Sequence, residues 1–116
     1  MLVCFQLIYY TKNFKTYMEI LDDKIHVWID SAKYVKAIPA IYILYNRNKE
    51  IIYIGESQNL QNTFTKYVDT DFEGDSCKQK THSYQREFVE NPKERKKILL
   101  EDFKTEHGKL PSCNHE

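Results

Sequence analysis

Two apolar runs flank a short polar break: Ala40-Ile-Tyr-Ile-Leu-Tyr45, then Asn46-Arg-Asn-Lys49, then Glu50-Ile-Ile-Tyr-Ile-Gly55. β-branched and aromatic residues dominate both runs, and the break is rich in turn formers, which is the pattern of a β-hairpin. With the turn centred on Arg47 and Asn48, facing residues have numbers that sum to 95, which sets Tyr42 directly opposite Tyr53. The two phenols are therefore expected to be neighbours.

After Gly55, Ser57 is the expected cap of a helix on which Leu60, Phe64, Tyr67 and Val68 follow a helical period, with Thr63 one turn before Tyr67. An acidic loop carries Asp69, Asp71, Glu73 and Asp75. A short helix is expected over Ser83 to Val89, pairing Tyr84 with Phe88. The last helix has Asn91 as cap, Pro92 at its first position, Glu94 in a capping-box-like place and Gly108 as its stop. Upstream, Leu2 to Tyr9 and Lys24 to Ile29 read as strands, with an amphipathic helix over Lys12 to Leu21. The expected organisation is an N-terminal extension, 1–37, packing on the same domain as a core of residues 38–116.

A chain of 116 residues, 41% hydrophobic and 14% aromatic, has the composition of one ordinary domain. The opening apolar run is too short for a membrane span, so no membrane partner is expected. Basic and acidic side chains both number 17, which counts mildly against a nucleic-acid partner. Residues 78–97 nevertheless hold seven basic against three acidic residues. Lys78, Lys80, Arg86, Lys93, Lys96 and Lys97 are the candidates there for phosphate contacts, against a solvated helix face as the plainer reading. Cys4, Cys77 and Cys113 are odd in number and widely spaced, which fits reduced thiols in the cytoplasm. Cys77, His82, Cys113 and His115 form a loose alternative zinc set, against free thiols with surface histidines.

Taken in order, Ala40-Ile-Tyr42, Tyr53-Ile-Gly55, Glu56-Ser-Gln-Asn-Leu60, Tyr67, a late helix with Glu101, and Pro111-Ser-Cys-Asn114 resemble the GIY-YIG superfamily. That superfamily includes homing endonucleases, certain restriction enzymes and the incision module of bacterial excision repair. The resemblance implies an α+β fold, a small mainly antiparallel sheet flanked by helices, and cleavage of DNA phosphodiester bonds. It assigns Tyr42 and Tyr53 to the active face, Tyr67 to a place near the nucleophile and Asn114 to an orienting role. It assigns Glu101 to a single divalent cation, Mg2+ or Mn2+, which suits oxygen ligation.

Two positions depart from the family pattern. Ala40 stands for the first motif glycine, an addition of one methyl group. Thr63 stands where the family places an arginine against the scissile phosphate. Losing such a donor typically costs on the order of 10²- to 10³-fold in rate. Three explanations stay open: a basic residue such as Lys66, Lys80 or Arg86 fills the place, the domain is a weakened or inactive relative that binds nucleic acid or a protein partner, or the position was altered to trap a complex. Thr63→Arg is expected to raise metal-dependent cleavage about tenfold or more.

Overall fold

The computed structural model describes residues 24–115; the readings over Leu2 to Tyr9 and Lys12 to Leu21 lie outside the described residues. The described chain runs β1 (His26–Val27), α1 (Trp28–Ser31), β2 (Ala40–Tyr45), β3 (Ile51–Ser57), α2 (Leu60–Thr70), β4 (Ser83–Phe88) and α3 (Pro92–His107). Short 3₁₀ turns occupy Ala32–Tyr34, Phe72–Gly74 and Lys78–Lys80. The four strands form one sheet in the order β1-β4-β2-β3, and every pairing is antiparallel. This is the α+β architecture expected from the sequence.

The hairpin forms, but its register differs from expectation. Tyr42 pairs with Gly55 and Leu44 with Tyr53, a sum of 97 in place of 95. Two extra residues on the returning side explain the shift. Lys49, at φ 65, closes the turn in the left-handed region by donating its N–H to the Asn46 carbonyl at 3.0 Å. Between the Leu44–Tyr53 and Tyr45–Ile51 pairs, Ile52 then bulges out of the ladder. Asn46 Oδ1 steadies the turn by accepting from the Asn48 and Glu50 amides, each at 2.9 Å.

Strand alternation divides the core in two. On one face Ala40, Tyr42 and Leu44 of β2 and Tyr84 of β4 meet Leu60, Phe64 and Tyr67 of α2. Those helix residues recur at the i, i+4, i+7 spacing of a buried stripe. On the other face Ile41, Ile43 and Ile54 receive Leu99 and Phe103 of α3. With both faces covered, β2 is buried along its whole length, which accounts for its near-continuous apolar run.

Local expectations needed correction at four places. The strand read over Lys24 to Ile29 survives only at His26–Val27, because the chain turns helical at Trp28. That turn sets the indole 4.7 Å from the Phe64 ring and 5.0 Å from Phe72. The helix read over Ser83 to Val89 is a strand. Its period is two, and Tyr84, Arg86 and Phe88 lie on one side of it, paired between β1 and β2. The cap of α2 is Asn59, whose Oδ1 accepts from the Asn62 amide at 3.0 Å, because Ser57 is still in β3. In α3, Pro92 and Gly108 hold their expected places, the latter at φ 78, but the Asn91 side chain makes no capping bond.

Asn59→Ala is expected to lower unfolding stability by about 1 kcal/mol in urea titrations. An unchanged midpoint would remove Asn59 from the capping role.

Candidate active site

The phenols of Tyr42 and Tyr67 approach to 2.8 Å between their oxygens, joining β2 to α2. Tyr53 stands diagonally across the ladder from Tyr42, with ring centroids 6.0 Å apart. The diagonal contact exists because Gly55 lies between them. A Cβ built there would sit 2.5 Å from Tyr42 Cζ, 2.6 Å from the Tyr42 hydroxyl and 2.6 Å from Tyr53 Cε2. The glycine therefore serves close approach of rings to backbone, not a turn.

Lys78 closes the cluster from the 3₁₀ turn after α2. Its ammonium donates to Tyr67 Oη at 3.3 Å and lies 4.1 Å from the centroid of the Tyr53 ring and 5.3 Å from that of Tyr67. Asp75 Oδ1 orders this turn by accepting from the Cys77 amide at 2.9 Å and the Lys78 amide at 3.3 Å. Tyr42 is only 2% exposed, whereas Tyr53 and Lys78 are half-buried and form the accessible side.

Burial, first, and then the neighbouring Tyr67, Tyr53 and Glu56 hold the Tyr42 hydroxyl well above the ordinary tyrosine range. Tyr42 is thus a protonated hydroxyl near neutral pH. Partial burial pulls Lys78 down, but Tyr67, Tyr53 and Asp75 outweigh it and leave its pKa raised. Lys78 stays a cation.

Thr63 is committed elsewhere. Its hydroxyl lies 2.6 Å from Ser57 Oγ, which also accepts from the Asn59 amide, so the side chain ties the β3–α2 junction. Of the three basic residues considered as substitutes for the arginine, Lys66 and Lys80 are engaged or placed away from the phenols, and Arg86 is the cross-strand neighbour of Tyr42. Lys66 pairs with Glu73 at 3.0 Å, Lys80 is exposed beside the Asn46–Asn48 turn, and Arg86 lies 5.2 Å from the Phe88 ring. The sequence reading placed Lys78 with the phosphate-contact residues and missed its seat among the tyrosines. Position in an irregular loop carries no periodicity that would have revealed it.

Asn114 brackets the edge strand. Its Oδ1 accepts from the Ile54 amide at 2.9 Å, and its Nδ2 donates to the Ile54 carbonyl at 3.0 Å. The adjacent Cys113 amide donates to the Ile52 carbonyl at 2.7 Å. Cys113 is also joined to Cys77 in a disulfide, with Cα atoms 5.7 Å apart. This overturns the expectation of reduced thiols at these two positions, and with it the zinc set that included them. The cysteines looked remote at a separation of 36 residues, yet the loop after α2 and the tail after α3 both return to β3.

Glu101 is exposed on α3, whose buried residues pack on the sheet face opposite the phenols, and it makes no hydrogen bond or ion pair among the described residues. No cluster of three or more His, Cys, Asp or Glu side chains occurs among the described residues. The basic segment is divided. Arg86 lies on the phenol side, exposed Lys93 and Lys97 lie on α3, and Arg95 is held by Glu87 at 2.7 Å. No described helix is long and apolar enough to cross a membrane.

A four-stranded antiparallel sheet carrying clustered tyrosines on its hairpin, with a late helix on the opposite face, defines a small α+β domain. The family model described as the GIY-YIG catalytic domain matches residues 38–107, more than half of the chain, and the chain belongs to that family. Among solved structures it is similar to the GIY-YIG N-terminal endonuclease domain of UvrC from Thermotoga maritima bound to magnesium. The TM-score there is 0.57 at 19% identity, covering 76% of this chain and 96% of that one. A point mutant of the same domain, bound to its catalytic divalent cation, gives 0.57 at 18% identity, covering 77% and 96%. No curated protein sequence matches the chain.

Two outcomes follow from the tyrosine packing. Gly55→Ala is expected to destabilise the fold by about 1–3 kcal/mol through overpacking, read by chemical denaturation. A neutral result would show that the rings need no bare backbone. The raised Tyr42 pKa means that unfolding frees a phenol that ionises near its ordinary value of about 10. Its contribution to stability is therefore complete below that pH and is lost as pH rises above it. Urea midpoints from about pH 9 to 11 should fall less steeply in Tyr42→Phe than in the unaltered protein.

Proposed function

We propose that the domain hydrolyses DNA phosphodiester bonds with the help of one divalent cation, Mg2+ or Mn2+. The observation that carries this reading is the contact of Tyr42 with both Tyr53 and Tyr67, beside a side-chain-free position on the hairpin of a GIY-YIG family member. By the family resemblance Glu101 is the residue that would hold the cation, although it stands on the helix across the sheet from the phenols. A single unpaired, exposed carboxylate fits a hard cation that keeps most of its water and takes further oxygens from the phosphate. Such a cation supplies charge stabilisation for the phosphate and the departing oxygen.

The chain's own groups divide the remaining work. Tyr53, on the accessible side, orients the attacking water by hydrogen bonding. Tyr42 stays protonated and fixes the Tyr67 hydroxyl through their short contact. Water oxygen bonds to phosphorus as the bond to the leaving sugar oxygen breaks, and one proton of that water passes through solvent to the leaving oxygen. Asn114 holds the backbone on which Tyr53 rides, so its part is positional. Exposed Lys80, Lys93 and Lys97, with half-buried Lys96 and Arg86, are the groups proposed for backbone phosphates.

A second reading, a module that binds nucleic acid or a protein partner without cutting, is favoured by Thr63 and by the zero formal net charge. Incubation of nicked, branched, double- and single-stranded DNA with manganese separates the two. Cleavage that EDTA abolishes and that Glu101→Gln lowers on the order of 100-fold supports the nuclease. Salt-dependent binding without any cleavage supports the module.

A further inference from the structure

We propose that Lys78 supplies the phosphate-binding cation that position 63 lacks, delivered from the loop after α2 instead of from the helix itself. The inference rests on the nuclease reading and names the group that would make its site complete.

Three observations converge on Lys78. Its ammonium is already within the phenol cluster, donating to Tyr67 and lying over the Tyr53 ring. An ammonium has three donors, so the bond to Tyr67 leaves two for phosphate oxygens. Among the basic residues considered for this role, Lys66 is paired with Glu73, Lys80 is exposed beside the hairpin turn, and Arg86, cross-strand from Tyr42 on the phenol side, lies against the Phe88 ring, while Thr63 is engaged with Ser57. The cation is also held in place from both sides. Asp75 fixes its turn, and the Cys77–Cys113 disulfide links the residue before Lys78 to a tail bonded along β3, the strand that carries Tyr53. A preorganised cation of this kind stabilises charge that develops on the phosphate without a reorganisation cost during reaction.

Lysine is a compact point charge on a flexible stem, where arginine offers a planar two-pronged donor. The loop origin answers that difference, since Asp75 and the disulfide fix the backbone that carries Lys78, and Tyr53 and Tyr67 hold its ammonium. The raised pKa of Lys78 agrees with a cation that persists at the pH of the reaction.

The test uses the full chain and measures single-turnover DNA cleavage with manganese, and binding of the same DNA in EDTA. The variants are Lys78→Met, Lys78→Gln, Lys78→Arg, the double variant Lys78→Met with Thr63→Arg, and Lys109→Met as an exposed-lysine control. Circular dichroism reports whether each is folded, and Lys78→Gln serves if Lys78→Met is not. Expected is a loss on the order of 10²- to 10³-fold for Lys78→Met and Lys78→Gln, with Lys109→Met within about threefold of the unaltered protein. Lys78→Arg and the double variant should each recover about tenfold or more of the loss, which a merely structural lysine would not allow. Lys78→Met within about threefold of the unaltered protein, or a double variant as inactive as the single, overturns the proposal. If the unaltered protein cuts no DNA at all, the nuclease reading falls by itself. EDTA binding then judges Lys78: weakening about fivefold beyond Lys109→Met sustains its phosphate contact, and equal weakening overturns it.

Discussion

The structure depends on an absence of volume at Gly55. Where β3 passes Tyr42, any side chain would occupy the space of the Tyr42 hydroxyl and the Tyr53 ring together. The bare backbone lets two bulky phenols share one stretch of a two-stranded ribbon, and the helix carrying Phe64 and Tyr67 closes over them. Protein interiors tolerate little misfit, so the position of each ring limits its neighbours. Hairpin, helix and candidate site are therefore one packing problem.

Much of this was legible because the relevant signals are local. The alternating apolar hairpin, the i, i+4, i+7 stripe of α2, and Pro92 with Gly108 around α3 each follow from backbone chemistry within a few residues. Register was harder, because a left-handed Lys49 and a bulge at Ile52 are set by the turn and the cover of the sheet together. The segment from Ser83 to Phe88 carries both an i, i+4 aromatic pair and a two-residue alternation, and pairing on both sides selects the strand. Trp28 likewise yields its strand tendency to an aromatic pocket built from α2, β4 and the loop after α2.

At the candidate site, the ordered motif pointed to the tyrosines, whereas the surroundings of Thr63 did not follow from it. Thr63 is satisfied by a hydroxyl partner at the β3–α2 junction, so nothing at that position registers a missing charge. The cation among the phenols comes from a loop whose path is governed by Asp75, Cys77 and long-range packing. Whole-chain charge conceals this as well, since one ammonium contributes little to a balance of 17 against 17.

The Cys77–Cys113 link closes a covalent ring that contains all of β4 and α3. The last residues of a domain ordinarily fray at almost no cost in free energy. Here the tail can lift from β3 only together with the loop that leads into β4, or after reduction of the bond. Partial openings that begin at the carboxyl end are thereby coupled to the middle of the sheet, so amides of the tail should exchange with solvent on the timescale of the core and not of a loose end.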